Sequence, residues 1–406
     1  LSFVTTAGTL RPADGRHSAR LRVLLIILEF NTWKRARHVS YGAQLGLEEG
    51  LRANGVAGLT LTTPWLGRAR ELCAGQHFDQ VWIDIVQSDR GDALFGNSTF
   101  LEWIAQLAPV RVGFLPESLE HTPEEQAVLP ILRYRPRNVK DRLQYLTHVV
   151  ACDERDVDRL NGLGQLPALW WPQAIPARSI CEASLPAPRP YGVFGGYVYG
   201  DRARWLKRPE LKGTLVHLPP PEAATPYPLQ FDLLHLALNL SSLRRRILGP
   251  ETLQRYLDRL RQLRRQMFAQ WLAGLQTGCA VVNLPHFVKT YAGRVVEGMA
   301  AGRPVISWDI PDRPRNRGLF EHGREILLFS KENPLELAEH IRRLQYEPVF
   351  ARQLVEKAQR KVKQLHTLEK RVQHILRWLE TGDEPDYGDA ALDHRARAPL
   401  SVPPTL

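Results

Sequence analysis

The chain has 406 residues, 44% of them hydrophobic and 24% charged, and carries a formal net charge of +11. That length exceeds what one core usually serves and the composition is ordinary for a globular protein, so two domains of ~150 to 200 residues are expected. Four widely spaced cysteines indicate neither a disulfide framework nor a zinc site, which fits a reducing cytoplasm, and the apolar run at residues 21–30 is well short of the ~20 residues a membrane helix needs.

Residues 1–20 are polar and aperiodic and read as a loose arm. The run RVLLIILEF at residues 22–30 predicts a buried strand, followed by a polar turn and an amphipathic helix that stops at Asn54-Gly55. Further strands are expected at residues 58–63, 80–86, 110–115 and 148–153, with helical segments at 65–74, 101–107 and 156–163 between them. Short apolar runs alternating with helices mark a parallel α/β sheet, and ligands of such sheets lie beyond the carboxyl ends of the strands. In the first half those positions hold Asn31, Trp33, Lys34 and His38, then Asp84, then Glu117 and His121. Thr122-Pro123-Glu124-Glu125 has the form of a helix start, with threonine as N-cap and acids in the first turn. The basic segment 133–142 reads either as a solvated loop or as a phosphate-tracking surface. A proline-rich stretch at residues 183–190 fits a semi-rigid linker.

The second half opens with a strand ending in Gly195-Gly196, with Arg202 and Arg204 beyond it. This suits either a close approach of backbone to phosphate or a plain hairpin turn. Residues 243–274 predict a helix with one buried stripe and an arginine-rich outer face, which is either solvated or meets an anionic acceptor or partner. Residues 279–329 read as strand, helix, strand, loop, strand. Lys289, Tyr291, Gly293 and Arg294 fall just before or within the first turn of that helix, where free N–H groups and the helix dipole favour an anion. Glu297, one turn further on the same face, is placed to accept hydrogen bonds from a sugar diol. Three helices follow, at residues 335–344, 348–366 and 367–379, and the tail from residue 382 lacks an apolar period and is expected to be mobile.

The run Arg294-Val-Val-Glu297-Gly-Met-Ala-Ala-Gly302-Arg-Pro304-Val-Ile, followed by Phe320-x-x-Gly323-x-Glu325-Ile-Leu, resembles the donor-binding signature of group 1 glycosyltransferases of the GT-B fold. It looks most like their spore-maturation-related branch. The resemblance implies an α/β protein of two Rossmann-like domains facing across a cleft, with C-terminal helices crossing back to the first. The implied division is an arm at 1–20, an acceptor-side domain at 21–176, a linker at 177–190, a nucleotide-sugar domain at 191–366, a crossover helix at 367–381 and a mobile tail at 382–406.

The activity so implied is transfer of a hexose from a nucleotide-diphosphate sugar, such as a UDP-sugar, to a hydroxyl acceptor, with retention of configuration and no metal. The donor is a co-substrate, and no permanently bound cofactor is expected. Glu297 would bind the ribose hydroxyls, Arg202 or Arg204 the diphosphate, and Asn31, Trp33 and Lys34 the acceptor. Many relatives carry a second glutamate where this chain has Lys289, a lysine that would serve phosphate instead. An inverting reaction would need a general base, for which His38, Asp84, Glu117 and His121 are the candidates. Two other readings use the same residues. The +11 charge and arginine-rich segments suit a glycosyltransferase acting on hydroxymethylated bases in DNA, and Lys289 suits a non-catalytic nucleotide-sugar-binding module.

Overall fold

A computed structural model describes residues 20–27, 45–86, 98–164, 166–182, 185–198, 200–219, 250–310 and 312–388. Strands β1 (Arg22–Ile27), β2 (Ala57–Thr62), β3 (Gln80–Asp84), β4 (Val110–Leu115), β5 (His148–Ala151) and β6 (Ala168–Trp170) form a sheet in the order β2-β1-β3-β4-β5-β6. Strands β7 (Arg189–Gly195), β8 (Leu215–Leu218), β9 (Gly278–Asn283), β10 (Val305–Trp308) and β11 (Leu327–Phe329) form a second, in the order β11-β10-β9-β7-β8. All pairings within both sheets are parallel.

The helices of the first domain are α1 (Leu45–Ala53), α2 (Ala69–Cys73), α3 (Ser98–Leu107), α4 (Pro123–Val128), α5 (Arg135–Leu143) and α6 (Glu154–Gly162). Those that follow β7 are α7 (Asp201–Trp205), α8 (Pro250–Leu275), α9 (Gly293–Ala300), α10 (Pro314–Gly318), α11 (Pro334–Tyr346), α12 (Pro348–Leu365) and α13 (Leu368–Thr381). Central strands β3 and β9 are buried at every position, as a sheet covered on both faces requires. Helix α9 lies directly on β9 because position 298 has no side chain; a Cβ at Gly298 would stand 2.8 Å from that of Val281.

Several expectations change. Segment 133–142 is mostly helix α5, not a loop, because Pro136 sits in its first turn and Val139 and Leu143 bury one face. Its Arg135 and Arg142 are buried with that face, while Arg133, Arg137 and Lys140 stay exposed. The Gly195-Gly196 loop is no hairpin, since it leads into α7 and then to β8, which runs parallel to β7. On α8, Arg261 is buried and its Nε donates to Glu48 of α1 at 2.8 Å, while Arg265 donates to Glu49 at 3.0 Å. Two arginines of that face, Arg261 and Arg265, therefore meet the first domain of the same chain, while Arg255 stays exposed.

The tail is fixed at least as far as residue 388. Tyr387 is fully buried, donates to the Trp170 carbonyl at 2.9 Å and stacks under the guanidinium of buried Arg371, 4.1 Å from its ring centre. Helix α13 returns to the first domain: the Leu368 amide donates to Ile175 O at 2.9 Å and Asn54 Nδ2 to Glu369 O at 2.8 Å.

Candidate functional site

The carboxyl end of β7 delivers Phe194, Gly195 and Gly196 beside the start of α9. Gly196 has a φ of +127°, and a Cβ there would lie 2.7 Å from an Arg294 guanidinium nitrogen, so glycine is needed for conformation and space alike. Arg294 projects from the first turn of α9. Its guanidinium lies 4.8 Å from the centre of the Phe194 ring and donates to Asn283 Oδ1 at 3.2 Å. Arg202 is only 2% exposed, sits 5.4 Å from the same ring and donates to the Tyr197 carbonyl at 3.2 Å. Two guanidinium groups over one ring, at a helix N-terminus, make a cradle suited to a doubly charged oxyanion.

His286, on the loop after β9, borders this cradle. Its Nδ1 accepts the Val288 amide hydrogen at 2.9 Å, which puts the ring proton on Nε2, and the ring stacks on Phe287 at 4.1 Å. Burial first, then the nearby charges of Arg202, Arg294 and Lys289, hold its pKa well below the usual imidazole range. It is a neutral donor at physiological pH. Glu297, one turn into α9, is 4% exposed, and its Oε2 accepts the Trp271 indole N–H at 2.8 Å.

The first domain reaches the same loop at two places. At the start of α4, Thr122 and Glu125 form a capping box, with Thr122 Oγ1 accepting the Glu125 amide at 3.3 Å and Glu125 Oε2 accepting the Thr122 amide at 2.9 Å. Glu125 also pairs with Lys289, whose own amide donates to Ser118 Oγ at 2.8 Å. Burial alone would raise the Glu125 carboxyl, but the contacts with His121, Lys289 and the Thr122 amide outweigh it and hold the pKa down at about 2. At the start of α6, Asp153 takes Arg313 in a two-pronged contact of 2.5 and 3.0 Å. Next to it, Glu154 accepts the amides of Arg315 at 3.1 Å and Asn316 at 2.7 Å. Asn316 Oδ1 in turn accepts the Tyr291 amide at 2.8 Å and the Thr290 hydroxyl at 3.1 Å.

Of the residues singled out in the sequence, Gly195, Gly196, Arg202, Gly293, Arg294 and Glu297 come together. Lys289, expected at a phosphate, pairs with Glu125 of the first domain. Arg204 is exposed and faces Asp201 at 3.6 Å, and Tyr291 is buried, with a phenol pushed up by burial and by nearby Asp309. Asp84 accepts its own strand-end amide, from Val86, at 2.9 Å, and Glu117 pairs with Arg135. The His121 side chain is fully buried, 3.6 Å from Glu125 and edge-on to Phe287. Asn31, Trp33, Lys34 and His38 lie outside the described residues.

Phe194, His286, Trp271 and Asn316 did not stand out in the sequence. Phe194 and His286 follow apolar strand cores at their carboxyl ends, which is a usable signal; Trp271 and Asn316 carry none. A separate cavity of about 420 Å³ lies between Phe320, His322, Glu325 and Lys361, but Lys361 is 3.2 Å from Glu325 there. No helix among the described residues is long and apolar enough to cross a membrane.

Residues 232–377 match a family described as glycosyl transferase-like. In structure the chain is similar to sucrose-phosphate synthase from Thermosynechococcus elongatus, at 12% identity over 90% of this chain and 100% of that one, with a TM-score of 0.54. It is also similar to OtsA solved in its apo form, at 11% identity over 89% and 99% of the two chains, with a TM-score of 0.50. Two parallel sheets in this arrangement give the GT-B fold. No curated protein sequence matches the chain.

Proposed function

We propose that this GT-B protein, glycosyltransferase-like in its second half, transfers a sugar from a nucleotide-diphosphate sugar to a hydroxyl acceptor, without metal and with retention of configuration. The reading rests on Arg202 and Arg294 meeting over Phe194 at the start of α9, one turn from Glu297. In it the diphosphate lies between the two guanidinium groups and the α9 amides, and the ribose diol bonds to Glu297, whose carboxylate the Trp271 indole orients. Fixed positive charge at the leaving diphosphate stabilises the transition state without reorganising at the moment of transfer. His286, neutral and protonated on Nε2, adds a donor that does not compete for the leaving group's proton.

The proposed retaining transfer assigns a base to none of the described candidates: the His121 side chain is fully buried, and Asp84 and Glu117 serve a strand end and an ion pair. The test is a panel of nucleotide sugars, headed by UDP-glucose, assayed for transfer and hydrolysis. Replacing Glu297 by alanine removes a charged hydrogen bond worth about 1.5 to 3 kcal/mol, so donor affinity should fall by roughly ten- to a hundredfold. Unchanged affinity in a folded Glu297→Ala protein would sink the assignment. Absence of both transfer and hydrolysis across the panel would favour a binding module.

A further inference from the structure

We infer that Asn316 is a positioning residue for the donor, acting through the Thr290 hydroxyl and the Tyr291 amide and itself set by Glu154 of the first domain. The inference rests on the donor reading above, since it concerns the approach to the helix start that holds the diphosphate. Residues 289–291 lead directly into α9, whose N-cap is Ala292, a residue with no side-chain oxygen to organise the first turn. That work falls to other parts of the chain. Asn316 Oδ1 accepts both the Tyr291 amide and the Thr290 hydroxyl, and this fixes which end of the amide faces the loop. Asn316 does not hold its place alone, because its own amide and that of Arg315 end on the two oxygens of Glu154.

Glu154, Asn316, Thr290 and Tyr291 are each at most 4% exposed, so every bond in the relay is made away from water. Loss of one member leaves a buried donor or acceptor without its partner. The Lys289 amide, one residue earlier, ends on Ser118 Oγ, again in the first domain. Three consecutive residues of the donor loop therefore take their geometry, directly or through Asn316, from the opposite domain. The donor site of the second domain is complete only with the first domain against it.

The test is calorimetric titration of the full chain with whichever of UDP, GDP, ADP and dTDP it binds most tightly. Asn316→Ala should weaken binding by about tenfold, and Glu154→Gln, which turns one acceptor oxygen into an NH2 facing an N–H, by about threefold. In the transfer assay both should raise KM for the donor while leaving kcat at saturation near the native value. Gln80→Leu, which removes the buried bond from Trp82 Nε1 at the amino end of β3, is the control for stability loss alone and should leave nucleotide affinity unchanged. Nucleotide binding within twofold of native in a folded Asn316→Ala protein overturns the inference while the donor reading stands. Should that variant not fold, Glu154→Gln decides by the same criterion. If the native chain binds none of the four nucleotides, the donor reading falls and this inference with it.

Discussion

The first domain touches the donor loop's surroundings at two contacts of opposite character. At α6, Asp153 and Arg313 are 0% and 4% exposed in their side chains and meet by two hydrogen bonds, with Glu154 and Asp156 buried alongside. At α4, Glu125 and Lys289 are each 20% exposed. A buried pair gains most of its strength from geometry and is costly to break on one side only, whereas a pair open to water is screened and contributes little net stability. One contact therefore fixes the domains against each other. The other adjusts the cleft beside the donor.

The sharpest way to test that contrast is to remove one partner from each contact. Asp153→Ala leaves the Arg313 guanidinium buried without its carboxylate and should destabilise the protein by about 3 to 5 kcal/mol, read from the shift in urea midpoint. A markedly smaller response to Asp153→Leu, which refills volume without restoring charge, than to Asp153→Ala would show that lost packing, not stranded charge, is the cause.

The two contacts should next differ in the sign of their pH dependence. Burial, then the charge of Asp153, pushes Asp156 up to about 8 from an ordinary 3.8, and burial pushes Glu154 up to about 7. A carboxyl raised by folding contributes stability that is complete below about pH 4 and is lost as pH climbs through its folded value. Glu125 is lowered from 4.5 to about 2, so its contribution is complete above about pH 4.5 and is lost on the acid side, as pH falls towards 2. Thermal melts from pH 3 to 9 should show the alkaline loss flattened in Asp156→Asn and the acid loss flattened in Glu125→Gln. The smallest effect belongs to Lys289→Ala, expected to cost about 1 kcal/mol or less and to shrink further in high salt. A salt-independent loss above that would place Lys289 in a drier contact than its exposure indicates.

Legibility along the chain followed the kind of force involved. The strands were readable because parallel strands buried on both faces need unbroken apolar runs, as in the residues of β3 and β9. The start of α4 was readable because Thr122-Pro123-Glu124-Glu125 is a local motif whose partners lie three residues apart. Segment 133–142 misled because five basic residues conceal a short buried stripe at Val139 and Leu143, and because the partners of Arg135 and Arg142 are distant in sequence. The tail misled for a similar reason: Tyr387 and Glu384, with no periodic neighbours, tie it to Trp170 and Arg315, which are distant in sequence.

By itself the sequence determined the two parallel α/β halves, the helix that carries Gly293 and Arg294 near its start, and the place of Glu297 one turn beyond them. These depend on apolar periodicity and on spacing within one helix, and both are written in adjacent residues. Only the tertiary structure decided what each charged group faces. Lys289 meets Glu125, Arg261 meets Glu48, and Arg202 shares the Phe194 ring with Arg294. The interaction between two charges is set by distance and by exclusion of water, and neither quantity exists until the chain is folded.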